Sequence, residues 1–149
     1  MTYDERTERN IATLLPKAQE LARNFMALAV PRVERDGWRV KIISGHRTYA
    51  EQDRLYAQGR TTAGPVVTKA RGGYSNHNFG VAFDVGLFKG GVYVPASYVY
   101  VDLGRLGESV GLEWGGRWKS FPDFPHYQVD TGLTLAQMRK RVAKGVPVL

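Results

Sequence analysis

The sequence predicts an α+β domain in which helices flank a small, mostly antiparallel sheet. Three observations carry that expectation. Helical spacing of apolar residues fills the first part of the chain. The centre is rich in strand signals, including Val81 to Phe88, then Gly90-Gly91, then Val92 to Val94, which reads as a hairpin. Helical segments also recur between these strands, without the strict alternation of a parallel sheet.

Residues 4–15 read as a short helix. Pro16 suits the first turn of a second helix, expected to run to about Ala29. Its Ala18, Leu21, Ala22, Phe25 and Met26 recur at three- and four-residue spacing, so one face belongs to the core. Pro31 is expected to loosen its end, and Asp36-Gly37 marks a turn. Trp38 to Ile43 alternates and is β-branched, hence a strand that ends at Ser44-Gly45. Tyr49 to Gln58 reads as a helix with Thr48 as N-cap and Gly59 as its stop. Residues 60–76 read as a long loop, and loops of that length in a compact domain usually serve a function. Asp102 to Val110 is predicted helical, with Gly111 as its cap. Leu112 to Ser120 is aromatic and Gly-rich, and His126 to Val129 reads as a closing strand. Thr134 to Lys144 is a last helix, capped by Thr134 with Gln137 three residues on.

The length of 149 residues fits a single domain over 1–149, with no internal repeat or low-complexity linker. No apolar run is long enough to span a bilayer, so stable membrane insertion is not expected. Met1 to Asn10 is polar and charged and carries no signal-type apolar stretch, which argues against ordinary secretion. With no cysteine in the chain, disulfides and thiolate metal sites are excluded, and any metal must be held by His, Asp or Glu. The net charge of +7 suits an anionic partner, either nucleic acid or an anionic cell wall, or simply a soluble basic surface. Nucleic acid is not expected: the basic residues are scattered apart from Arg139, Lys140, Arg141 and Lys144, and no nucleic-acid motif is present.

The chemistry concentrates in two segments. In Ser75-Asn76-His77-Asn78-Phe79-Gly80-Val81-Ala82-Phe83-Asp84, strand alternation puts Val81, Phe83 and Val85 on one face and Ala82 and Asp84 on the other. Gly80 lets the chain bend, so an imidazole and a carboxylate can converge, and zinc accepts both. Taken alone, the pair reads more simply as a loop histidine and a solvated strand carboxylate. The second segment, Trp114 to His126, shifts the balance because it ends in Asp123-x-x-His126. Catalytic zinc commonly has three protein ligands and an open position, and His126 can be the third. Asp123 could then lie beside the attacking water as a base. The alternative for this segment is a surface or capping Asp before a buried His.

Ser75-x-His77-x-x-Gly80-x-Ala82-x-Asp84 followed by Asp123-x-x-His126 resembles peptidase family M15, the D-alanyl-D-alanine carboxypeptidase group. The closer likeness is to its L-alanyl-D-glutamate endopeptidases, found among phage endolysins and bacterial autolysins. Ser44-Gly45-His46-Arg47-Thr48, Gln52, Gln58-Gly59-Arg60-Thr61, Gly72-Gly73 and Gly111-Leu112-Glu113-Trp114-Gly115-Gly116 match the same branch, so the resemblance covers about residues 10–130. It implies the hedgehog/D-Ala-D-Ala peptidase-like fold and one catalytic zinc ion on His77, Asp84 and His126. It implies Asp123 as general base and later acid, and Arg47 as a substrate-facing residue that stabilises an oxyanion or binds a carboxylate. Ser75 would orient substrate or the metal loop.

Trp114 and Trp118 are expected in the core or the pocket wall. His46 and Arg117 depart from the residues frequent in relatives; His46 is expected to pack or to stand behind the metal ligands, not to bind metal, and Arg117 could alter the charge near the cleft. The implied activity is cleavage of the peptide part of bacterial peptidoglycan at the L-Ala–D-Glu bond by a monomer, with D-Ala–D-Ala carboxypeptidase or dipeptidase action as the runner-up. A non-catalytic zinc-containing wall-binding module and a basic DNA-binding domain are the readings of another class. As an endolysin, the protein is expected to collect in host cytoplasm and to reach the wall or periplasm when the membrane is opened.

Overall fold

The computed structural model describes residues 2–149. In chain order the elements are α1 Glu5–Ala12, α2 Pro16–Glu34, β1 Trp38–Ser44, α3 Tyr49–Ala57, β2 Ala82–Lys89, β3 Val92–Val94, α4 Val99–Ser109, β4 Glu113–Trp114, β5 His126–Gln128 and α5 Leu135–Ala143. Single 3₁₀ turns stand at Asn76–Phe79 and Gly115–Arg117. The sheet order is β1-β2-β5-β4, and every pairing is antiparallel. β3 joins β2 at Leu87 to Lys89, beyond the stretch Ala82 to Asp84 that β5 takes. The α+β expectation holds.

Local signals explain most boundaries. The side chains of Asp4, Thr48 and Thr134 accept the capping bonds of α1, α3 and α5, and the last two are full capping boxes. Two helices differ from expectation. α2 runs on to Glu34 with Pro31 inside it. Proline forfeits one helical hydrogen bond, but Ala29 and Val33 are buried on either side of it and Arg32 is clamped to Asp36 and Asp102, which holds the last turn. α4 starts at Val99, three residues early, because the Ser97 hydroxyl accepts from Val99 N and because Val99 and Tyr100 are buried. The Gly-rich stretch after Leu112 supplies β4 and a 3₁₀ turn, too short for periodicity to reveal.

The core lies on one face of the sheet. Ala18, Leu21, Ala22, Phe25, Met26, Ala29 and Val33 of α2 are buried there with Val40, Ile42, Phe83, Val85, Leu87 and Tyr127. Phe83 stacks on Tyr127 at 5.5 Å, and Phe25 lies 4.7 Å from Tyr127. α4 approaches through Gly107, where a Cβ would come within 2.4 Å of the Tyr127 ring. Glycine inside a helix costs roughly 1 kcal/mol, and this close approach is what it permits. With α2 and α4 on that face, the even-numbered positions of β2 and β5 are left for the opposite face.

Candidate metal centre

Strand register builds the site. Asp84 on β2 is paired directly with His126 on β5, and on its other side with Ser44 at the irregular end of β1. Residues directly opposite each other in an antiparallel pair share a face with their Cβ atoms about 5 Å apart. His77 arrives from outside the sheet, on the 3₁₀ turn Asn76–Phe79. Ser75 caps that turn by accepting from His77 N, and Gly80 ends it at φ 72°, a left-handed conformation that favours glycine. The chain then enters β2 with Asp84 facing back toward His77.

Asp84 Oδ1 lies 3.2 Å from His77 Nε2 and 3.1 Å from His126 Nδ1. These three side chains offer ligand atoms that all lie within 4.8 Å of one another. The far side of each ring decides its tautomer. His77 Nδ1 is 2.9 Å from the Gly45 carbonyl, which can only accept, so the proton is there and Nε2 presents a lone pair. His126 Nε2 is 2.7 Å from Gln128 Oε1, while the Gln128 amide nitrogen donates to Glu113. That carboxylate fixes which end of Gln128 faces the histidine, so His126 Nδ1 is the free lone pair. Two nitrogen lone pairs and a carboxylate oxygen thus point at one another. Such convergence is unfavourable unless a cation or an added proton lies between them.

The electrostatics agree. Burial opposes the charge on Asp84, but the two histidines outweigh it and hold the carboxyl well below the usual range. Burial likewise opposes charge on His126, and Asp84 overrides it, raising its affinity for a proton. A two-nitrogen, one-oxygen set with one position left open fits zinc in its catalytic mode, and the bonds to Gly45 and Gln128 are the outer partners that zinc-binding histidines usually have.

Asp123, His126, Arg47, Ser75 and Trp118 line the same cleft of about 490 Å³. Asp123 is seated by its backbone, which donates to Gly115 O at 2.9 Å and accepts from His126 N at 3.2 Å. A Cβ on Gly115 would lie 2.5 Å from Asp123 O, so only glycine allows this approach. Burial first, then the charge of Asp84, raises the Asp123 carboxyl above its ordinary value. Arg47 lies in the wall and donates to Gln52, Ser44 and Asp84 at 3.1, 3.2 and 3.3 Å. It therefore ties the strand end to the sheet as well as facing the cleft.

The six residues singled out in the sequence come together here. His46 is outside the ligand group, but contrary to the packing expectation it is exposed, because its backbone N–H is held by the Thr13 hydroxyl at the end of α1. Arg117 does not alter the cleft: its guanidinium is paired with Glu108 of α4 through two 2.9 Å bonds. Trp114 is buried and Trp118 is on the cleft wall, as expected.

Three supporting roles are missed in the sequence reading. One of them had a signal: Gln128 lies two residues from His126 on one strand, so alternation puts both on the same face. The Gly45 carbonyl leaves no sequence signal. Gln52, fully buried, accepts from Arg47 and donates to Ala70 O at 2.8 Å, fastening the 60–76 loop to the site. That loop is further held by Asp53 to Gly72 N and by Asn78 to Gly73 N.

Comparison with known proteins agrees with this arrangement. Two family models match, both described as D-alanyl-D-alanine carboxypeptidase, one over residues 14–92 and the other over residues 68–129. A curated relative, the peptidoglycan L-alanyl-D-glutamate endopeptidase CwlK of Bacillus subtilis, is 41% identical over 60% of this chain, and the match spans 60% of the relative's length. The L-Ala D-Glu endopeptidase ChiX of Serratia marcescens is similar in structure, with a TM-score of 0.62 at 21% identity, covering 87% of this chain and 90% of that one. The D,D-pentapeptidase VanY of a VanB-type resistance cassette, solved with Zn(II), has a TM-score of 0.53 at 16% identity over 91% of this chain and 81% of its own. Identities this low speak for the fold.

Proposed function

The chain belongs to the D-alanyl-D-alanine carboxypeptidase family of peptidases, family M15, and from that premise we propose that it is a zinc-dependent peptidase that cuts the L-Ala–D-Glu bond in the stem peptide of bacterial peptidoglycan. The observation that carries the reading is the convergence of His77 Nε2 and His126 Nδ1 on Asp84 Oδ1, with both outer nitrogens already engaged. The choice of bond is supported by the 41% identity to CwlK.

His77, Asp84 and His126 would hold the zinc ion, which when bound would supply Lewis acidity toward the scissile carbonyl and a water of lowered pKa. The remaining work falls to side chains of the cleft. Asp123 accepts the proton of the attacking water. Its raised affinity for a proton suits it to keep that proton briefly and deliver it to the departing nitrogen. No covalent bond to the protein is required. Arg47 holds the Asp84 carboxylate with one face of its fork. Its Nε–H and second Nη1–H lack a partner among the described residues and can meet the negative oxygen that develops on the amide. Ser75 holds the turn that presents His77.

The role we propose is lysis or remodelling of the wall, as an endolysin acting from the host cytoplasm once the membrane opens, or as an autolysin. The net charge of +7 suits a wall rich in carboxylates. Removal of a terminal D-Ala is the second reading, favoured by the description of both matching family models. Digestion of purified peptidoglycan, with chelator and after return of zinc, separates these outcomes by mass spectrometry. New N-terminal D-Glu that depends on zinc is the expected result. Free D-Ala would move the specificity to the second reading. Zinc binding without any cleavage would leave a wall-binding module.

A further inference from the structure

The metal cleft has a wall that neither family match reaches. α5 lies beyond residue 129, yet Leu135 lines the cleft. Arg139, one helical turn on, falls on the same face of the helix. Its guanidinium carbon stands 3.9 Å from the centre of the Tyr74 ring, and its Nη1 donates to Gly73 O at 3.0 Å. Arg71 comes to the same ring at 4.6 Å, and its Nη2 donates to the Tyr74 hydroxyl at 3.3 Å. Tyr74 itself lines the cleft and is 41% exposed.

Neither arginine has a carboxylate within ion-pair distance among the described residues. By contrast Arg9, Arg23, Arg32 and Arg117 each rest on an acid. α5 contributes no acidic residue at all. Two guanidiniums on one ring repel each other, and no acid in contact with them offsets that. Stacking and the Gly73 carbonyl fix their position but use few of their ten N–H donors. The Tyr74 phenol registers the resulting field: the Arg71 hydrogen bond, then the charges of Arg139 and Arg71, lower its pKa. Arginine on an aromatic face with free donors is suited to bidentate capture of a carboxylate.

We propose that Arg71 and Arg139, seated on Tyr74, form an anion subsite at the rim of the metal cleft that takes a carboxylate of the stem peptide away from the cut bond. The inference rests on the reading of this chain as a stem-peptide peptidase. A γ-linked D-Glu keeps a free α-carboxylate, and a diaminopimelate in third position brings another, so the ligand class is available next to the scissile bond. The subsite also accounts for α5, which carries one of the two arginines to Tyr74 at the edge of the cleft.

The test uses the full chain loaded with zinc and made inactive by Asp123→Ala. Binding of N-acetyl-L-Ala-γ-D-Glu-diaminopimelate is measured by calorimetry, beside the same peptide amidated at the D-Glu α-carboxyl or at the diaminopimelate carboxyl. One of the two amidations should weaken binding about tenfold, and which one identifies the carboxylate. In Arg71→Gln and Arg139→Gln the free peptide should fall toward the amidated one, while the amidated one barely changes. Arg139→Lys should recover part of the preference. Arg71 is exposed and, among the described residues, its side chain bonds to Tyr74 alone, so Arg71→Gln tests the subsite even where Arg139→Gln unfolds. Equal losses on free and amidated peptides would make Arg139 a prop for the Gly73 turn and overturn the proposal, as would no loss on either. Release of D-Ala from walls by the active enzyme would sink the proposed bond, yet the free-versus-amidated comparison would still report on the subsite.

Discussion

On β2, Phe83, Val85 and Leu87 face α2, while Ala82, Asp84 and Gly86 face the other way; on β5, Tyr127 faces the core, and His126 and Gln128 the opposite side, where His126 lines the cleft. The two faces solve opposite problems with one backbone. The core face is aromatic and tightly packed, and it leaves the one buried polar orphan found among the described residues, the Tyr127 hydroxyl. The cleft face is polar, and its side chains hold one another: Gly45 to His77, Asp84 to both histidines, Gln128 to His126, Arg47 to Asp84. A hydrophobic face tolerates one unpaired group at about 1–3 kcal/mol. A ligand set does not, since each tautomer depends on its outer partner.

This contrast predicts that substitutions on the two faces have separable readouts. The largest effect should come from Asp84→Ala. It removes the carboxylate on which both histidines converge, so zinc measured by mass spectrometry after dialysis should drop to background and hydrolysis should vanish with it. Metal retained at wild-type level would break the assignment of the site. Asp123→Ala comes next. Asp123 lines the cleft but is outside the ligand group, so metal content should stay while turnover falls by about 10²–10⁴. A variant that keeps its activity would remove Asp123 from the mechanism.

Much of this was legible in the sequence, and the limits have physical causes. Helices with caps and three- or four-residue spacing were readable because both signals are local: Thr48, Thr134 and the buried face of α2 all appear where expected. So was the split of Val81, Phe83 and Val85 from Asp84, because strand alternation is also local. The pattern around His77, Asp84 and His126 was readable only as a whole, since single histidines and aspartates carry little information. The Gly45 carbonyl was not readable, because any residue supplies one. The link from Gln52 to Arg47 spans only five residues across the N-cap of α3, but it depends on Arg47 being drawn back to Ser44 and Asp84. The approach of Arg139 depends on where α5 meets the 60–76 loop, and no spacing along the chain encodes that. The Pro31 and Val99 boundaries were missed for a related reason: tertiary burial overrode a local rule.

Gln128→Leu sharpens the contrast at intermediate size. It removes the acceptor on His126 Nε2 while leaving all three ligands in place, and loss of such a partner typically costs about 10–100-fold in metal affinity. Competition against a zinc-sensitive dye gives the number, and an unchanged affinity would mean that strand geometry alone orients His126.

Tyr127→Phe probes the neighbouring residue on the opposite face and should have the smallest effect. The Tyr127 ring is packed between Phe25, Phe83 and Gly107, and its buried hydroxyl finds no partner. Deleting that oxygen removes a desolvation cost and opens only a small void, so chemical denaturation should show stability unchanged or raised by up to about 1 kcal/mol. Zinc affinity and turnover should not move, although Tyr127 lies between His126 and Gln128 in sequence. A clear loss of stability would mean that a buried water satisfies the hydroxyl. A change in zinc affinity would mean that the two faces of β5 are coupled through the backbone, and that the core sets the position of His126 as well as its face.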